Sequence, residues 1–238
     1  MKNGTNSPRP SIESLGAFAG FIVEFLTKTL SASQLKYLLR HKKYLKEKLN
    51  EVFLLVENLP LYIEWEDFYE EMTLSQNIDL SQVVIPTKPT DGKWRLLIIM
   101  EGLTPNIVYD EMWPFKKLEY FNNDIDDRII SFRTPEKTSY AIWVRDQIGP
   151  DKEFDYSQTI AQLDPDMKVG ITLLEMMVFE AKYFSENRKH LYGLTICSGS
   201  RTSNDKDDSI PSVETRDDGW IELGWYGPDS KTGIRRVL

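Results

Sequence analysis

A capped helix from Thr172 to Asn187, set between two apolar runs, constrains this chain more than any other feature. Thr172 and Glu175 have the spacing of a capping box, in which hydroxyl and carboxylate each satisfy a backbone N–H of the first turn. Upstream, Tyr140-Ala-Ile-Trp-Val-Arg-Asp146 reads as a strand that stops at a charged pair. Downstream, Leu194-Thr-Ile-Cys-Ser-Gly-Ser-Arg201 reads as a buried strand that empties into a small-residue turn. Such a strand–helix–strand unit gathers polar groups at strand ends, where an α/β-type domain keeps its working surface.

The chain has 238 residues, 41% hydrophobic and 12% aromatic, which fits one large globular domain or two smaller ones. One cysteine, Cys197, excludes an intrachain disulfide and any multi-cysteine metal site. His41 and His190 are far apart and form no HExxH-like pair. No cofactor is expected. The single thiol points to a reducing, cytoplasmic setting. The apolar run Leu15–Val23 is interrupted by Glu24 and falls short of the ~20 residues of a membrane span, so neither export nor a membrane anchor is expected.

Net charge is −8, which argues against general nucleic-acid binding. Its distribution is uneven. From Ser31 to Lys48 six basic residues (Lys36, Arg40, Lys42, Lys43, Lys46, Lys48) face one acid, Glu47, so this segment carries +5 and the rest −13. The basic helix 36–48 is therefore the one place where nucleic acid or an acidic partner is conceivable, against the simpler reading of a solvated helix face.

Along the chain, residues 1–10 read as a disordered tail and 11–56 as an antiparallel helical hairpin. Its helices are marked by Ile12, Leu15, Phe18, Ile22 and Phe25, then by a Ser31/Gln34 capping box and Leu38, Leu45 and Leu49. Asn58-Leu-Pro60 is expected to break the helix, and Trp65–Met72 to form a short acidic one within a connecting segment 57–93. An α+β domain with a mixed β-sheet and flanking helices follows over 94–238. It opens with an apolar strand Trp94–Met100 and a helix started by Thr104-Pro105, and it closes with strands near Ile210–Val213 and Trp220–Tyr226 joined around Asp217-Asp218-Gly219.

Several groups carry candidate chemistry. In the turn Cys197-Ser198-Gly199-Ser200-Arg201, backbone N–H groups and the guanidinium suit an anion, and a thiol of lowered pKa would be a nucleophile; a buried strand cysteine and a tight turn is the plainer alternative. Arg145 and Asp146 could orient and deprotonate a substrate, or simply tie a strand end to a loop. Glu175 is assigned to capping, and His190 to the dipole at the helix C-terminus. The acidic sets Asp124/Asp126/Asp127 and Asp205/Asp207/Asp208 lack the glycine of a calcium loop and read as solvated. Trp220 and Tyr226 share a strand parity that Trp225 opposes, so at least one side of that strand is core.

The motifs Ala141-Ile-Trp-Val-Arg-Asp146, Gly170-Ile-Thr-Leu-Leu-Glu175, Lys182-Tyr-Phe184, His190-Leu191, Thr195-Ile-Cys-Ser-Gly-Ser-Arg201, Pro211-Ser-Val213 and Gly224-Trp225 resemble a family of uncharacterised bacterial proteins. The resemblance covers roughly residues 90–238 and brings no established activity. It implies a bacterial, cytoplasmic protein whose polar motif residues are Arg145, Asp146, Glu175, His190 and Arg201.

Two functions follow as expectations. One is a non-catalytic binding or adaptor module, engaging a protein partner or a second copy through its N-terminal helices. The other is a small-anion-binding enzyme with Arg145, Asp146, Cys197 and Arg201 around one cleft. The second requires Arg145 and Arg201 to converge.

Overall fold

The computed structural model describes residues 20–21, 24–25, 28–72, 78–111, 124–151, 159–203, 208–216, 221–230, 234–235 and 237. The tail 1–10, the Asp217–Gly219 turn, Trp220 and the acids Asp205 and Asp207 lie outside them. The chain falls into two compact units, Met1–Glu57 and Asn58–Leu238.

The described part of the first unit is helical. Residues 20–21, 24–25 and 28–29 are helical, and Glu24 and Lys28 pair one turn apart at 2.6 Å. Helix α1 (Ala32–Arg40) starts at the reciprocal cap anticipated from sequence: the Ser31 N–H donates to Gln34 Oε1 (2.8 Å) and the Gln34 N–H to Ser31 Oγ (3.3 Å). His41 interrupts the expected single helix, its ring lying 4.2 Å from that of Tyr37. Helix α2 (Lys42–Glu71) follows.

Helix α2 corrects the expectation at Asn58-Leu-Pro60. It runs through Pro60, and the predicted short helix is its last stretch, within the second unit. An interior proline forfeits one backbone bond and costs about 3 kcal/mol or more. Beyond it, Tyr62, Trp65, Phe68 and Tyr69 are all buried, each contributing roughly 1.5–3 kcal/mol. Burial outweighs the proline. The Tyr69 hydroxyl also donates to the Ile98 carbonyl (2.6 Å) and that of Tyr62 to the Val83 carbonyl (2.7 Å), so the chain at Val83 is tied to the helix.

The second unit is α+β. Its strands are β1 (Trp94–Ile99), β2 (Ile129–Ser131), β3 (Tyr140–Arg145), β4 (Leu194–Ile196), β5 (Ser200–Thr202), β6 (Ile210–Thr215) and β7 (Ile221–Tyr226). Among the described residues, the expected single mixed sheet gives way to three small ones, β1–β3, β2–β5 and β4–β6–β7, all paired antiparallel. Among the described residues, the parallel contact is the isolated bridge Ile196–Ile234. Short helices α3 (Pro105–Glu111) and α4 (Ile160–Leu163) precede the central helix α5 (Leu173–Asn187), which packs on α3, β1 and β6. Met176, Met177, Val178 and Phe179 follow one another and are all buried, so α5 is wrapped on every side. Arg235 and Val237 close the unit: the Ile171 N–H donates to the Arg235 carbonyl (2.8 Å), and Val237 bridges to Val144.

Candidate functional site

Strand β3 ends at Arg145 and Asp146, which do not pair with each other. Arg145 lies opposite Trp94 in the β1–β3 register, its guanidinium 4.2 Å above the indole, and donates to the Asp91 carbonyl (2.8 Å) and carboxylate (3.0 Å). Gly92, at φ +77°, makes this possible, since a Cβ there would sit 2.2 Å from the Arg145 guanidinium. Asp146 instead accepts from Arg95 Nε (3.0 Å), and the same guanidinium reaches Glu186 on α5.

Beside this ion-pair chain lies a groove of about 460 Å³. Trp65, Trp94 and Trp143 form its walls, and Lys88, Arg95, Lys182, Glu64, Asp146 and Glu186 its polar lining. Lys182, nearly buried, is paired with Glu64 (3.2 Å) and Glu186 (3.5 Å) beneath the Trp65 ring. Three cations face three carboxylates. The groove therefore suits a neutral or zwitterionic molecule with a flat face.

The Cys197–Arg201 turn is a separate structure, and three of its backbone N–H groups, its Ser198 and Ser200 hydroxyls and the Arg201 guanidinium are bonded to groups of the fold. The N–H groups of Cys197, Gly199 and Ser200 donate to the carbonyls of Pro211 (2.8 Å), Ile171 (3.0 Å) and Cys197 (2.9 Å). The Ser198 hydroxyl donates to Asp164 Oδ2 (2.8 Å), which also accepts from the Gly170 N–H (2.8 Å). Ser200 Oγ accepts from the Leu173 N–H (3.0 Å) and lies 2.7 Å from Ser131 Oγ. Arg201 donates to the carbonyls of Ser198 (2.6 Å), Ser200 (2.8 Å) and Asp164 (3.3 Å); burial lowers its pKa against the pull of Asp208 and Asp164. A knot of this kind needs Gly199, because a Cβ there would lie 2.6 Å from the Gly170 carbonyl oxygen.

Cys197 is fully buried, and that burial, with the Glu175 charge, pushes its thiol pKa up despite Arg235. A thiol so placed is protonated and shielded at neutral pH. In the folded protein Cys197 should react with a disulfide reagent such as DTNB only through unfolding; the check is a labelling time course with and without urea.

His190 corrects its expected role. Arg188, at φ 52°, ends α5, while His190 Nδ1 lies 2.8 Å from Glu180 Oε1 and its ring 4.5 Å from Phe184. Glu180 also accepts from the Leu191 N–H (3.2 Å), and burial raises its pKa against the influence of His190.

Local signals left two arginines unread. Arg133 holds Glu175 in a fork, Nε to Oε1 (2.7 Å) and Nη2 to Oε2 (2.9 Å), and donates to the Gly170 carbonyl (2.6 Å). Glu175 still caps α5 through the Thr172 N–H (2.7 Å) and accepts from the Tyr140 hydroxyl (3.0 Å). The burial of Tyr140 itself, and then the Glu175 charge and hydrogen bond, raise the Tyr140 pKa, while the Glu175 hydrogen bonds and charge raise that of Arg133 against its own burial. Arg235 is wholly buried under Phe179 and clamps the Arg145 (3.1 Å), Gln147 (3.1 Å) and Gly149 (2.8 Å) carbonyls; desolvation lowers its pKa to about 10. No sequence pattern near either residue announces these partners.

The candidate residues thus fall into three networks. Arg145 and Asp146 lie at the β1–β3 end, His190 on Glu180, and Cys197 to Arg201 in the knot. Among the described residues, Arg145 bonds to Asp91, and Arg201 to the Ser198, Ser200 and Asp164 carbonyls. Among the described residues, no group of three or more His, Cys, Asp or Glu side chains could hold a metal, and no helix is long and apolar enough to cross a membrane. No family model matches the chain, and neither a curated protein nor a solved structure shows significant similarity to it.

Proposed function

We propose that this protein is a non-catalytic binding module that engages a partner protein or a second copy through its N-terminal helices. One observation carries the reading. Phe21, Phe25 and Tyr37 are 62%, 53% and 60% exposed, amid exposed Lys28, Lys36, Arg40, Lys43 and Lys46. Large aromatics flanked by basic residues suit a partner with an apolar stripe and an acidic rim. The antiparallel hairpin belongs to this proposal, as the arrangement that would present the aromatics together. So does a bacterial cytoplasmic setting, in keeping with the single thiol. The internal bonding of Arg145, Asp146 and Arg201 and the burial of Cys197 support binding over anion chemistry.

The test is sedimentation velocity of the full chain and of a Phe21→Ser/Phe25→Ser/Tyr37→Ser variant, alone and with candidate acidic partners. Wild type should self-associate or bind, and the variant should lose at least about tenfold in affinity while its thermal unfolding stays unchanged. Equal association of both proteins would contradict the reading.

A further inference from the structure

We infer that the free edge of β2 is a second docking site, independent of the N-terminal helices, which takes an extended basic–apolar peptide as an added strand. The register with β5 fixes which backbone groups are available. The Phe132 N–H donates to the Gly199 carbonyl (2.9 Å) and the Ser203 N–H to that of Arg128 (2.8 Å), so the even-numbered residues of β2 face β5. Ile129 and Ser131 form the alternate, non-hydrogen-bonded pairs with Thr202 and Ser200, and their N–H and C=O groups point away from β5. The Ile129 N–H is taken by the Asp126 carbonyl. The Ile129 carbonyl and both backbone groups of Ser131 meet no partner among the described residues. An incoming strand would pair there.

A cavity of about 350 Å³ runs along this same edge. Leu103, Ile129 and Leu174 supply its apolar part, and Asp126 and Glu136 its acidic rim. Arg133 also lines it, but its charge is matched by the buried Glu175. On the opposite face of β2, Ile130 and Phe132 are 54% and 47% exposed. An edge strand carrying exposed apolar side chains invites pairing with another chain.

These features select the occupant. Alternate residues of an added strand project to opposite faces. Those over the cavity should be Lys or Arg, with the aliphatic stem on Leu103 and Leu174 and the charge at Glu136 and Asp126. Those between should be β-branched, beside Ile130 and Phe132.

The probe is a fluorescein-labelled, end-capped Val-Lys-Val-Lys-Val peptide, titrated into the full chain by anisotropy. Two control peptides carry Glu in place of Lys, or N-methyl groups on the backbone. Saturable binding is expected, weakened about tenfold or more by either control and by the exposed-site variant Glu136→Lys, with slowed exchange of the Ser131 amide in the complex. The Phe21→Ser/Phe25→Ser/Tyr37→Ser variant should bind the probe as wild type does, which separates this site from the helical one. Absence of saturable binding, equal affinity for the N-methylated peptide, or undiminished binding by Glu136→Lys would each overturn the inference.

Discussion

Replacing Arg133 by methionine should lower the stability of the second unit by about 3–5 kcal/mol, because it strands a buried carboxylate. Glu175 is fully buried, and Arg133 supplies both of its guanidinium contacts. The Thr172 N–H and Tyr140 hydroxyl remain as donors, but they are dipoles facing a full charge. For a domain of this size the loss should lower Tm by roughly 8–15 °C. Arg133→Met/Glu175→Met should be less destabilised than Arg133→Met alone, since no unpaired charge is left behind. It should still fall below wild type, because it loses the carboxylate half of the α5 capping box and leaves the Tyr140 hydroxyl without its acceptor. Urea denaturation of the three proteins checks both points. Equal stability of the single and double variants would mean that removing the stranded carboxylate brings no relief, against the account given for Arg133→Met.

Gly199→Ala should destabilise by about 2–4 kcal/mol, although it adds one methyl group. The added Cβ would lie 2.6 Å from the Gly170 carbonyl oxygen and 3.1 Å from the carbonyl of Ile171. These are backbone atoms and cannot rotate aside. Relief requires the turn to move off the segment entering α5, which breaks the Gly199 N–H bond to Ile171 and the Phe132 N–H bond to Gly199. Gly102→Ala is the contrasting control, since no atom lies within 4 Å of its added Cβ. Its φ of +75° leaves only a local strain of order 1 kcal/mol. Thermal unfolding of the two variants should differ accordingly.

What the sequence disclosed was local. The Thr172/Glu175 and Ser31/Gln34 caps, the Thr104-Pro105 helix start and the doubly buried β1 rest on residues within a few positions of one another, and all are present. Long-range satisfaction stayed hidden. Pro60 announces a break, yet the aromatic burial that carries α2 through it depends on partners such as Ile98 and Val83, some 20 to 30 residues away. Arg133 finds Glu175 across 42 positions, and Arg235 finds Gly149 across 86, with no pattern at either end. The candidate residues were legible by chemical type. Their availability was not legible, because a turn of small residues looks alike whether its N–H groups face solvent or the Ile171 and Pro211 carbonyls.

On the proposed reading, the polar groups at these strand ends hold the fold rather than a ligand. Its most direct test is thermal unfolding of wild type and Arg201→Met, each with and without millimolar phosphate, sulfate or nucleotide at matched ionic strength. Arg201 is committed to three carbonyls, so Arg201→Met should unfold at a lower temperature by the same margin under every condition, and wild type should gain nothing specific from the anions. A stabilisation of wild type by one of these anions that disappears in Arg201→Met would contradict the claim and place a ligand at the turn.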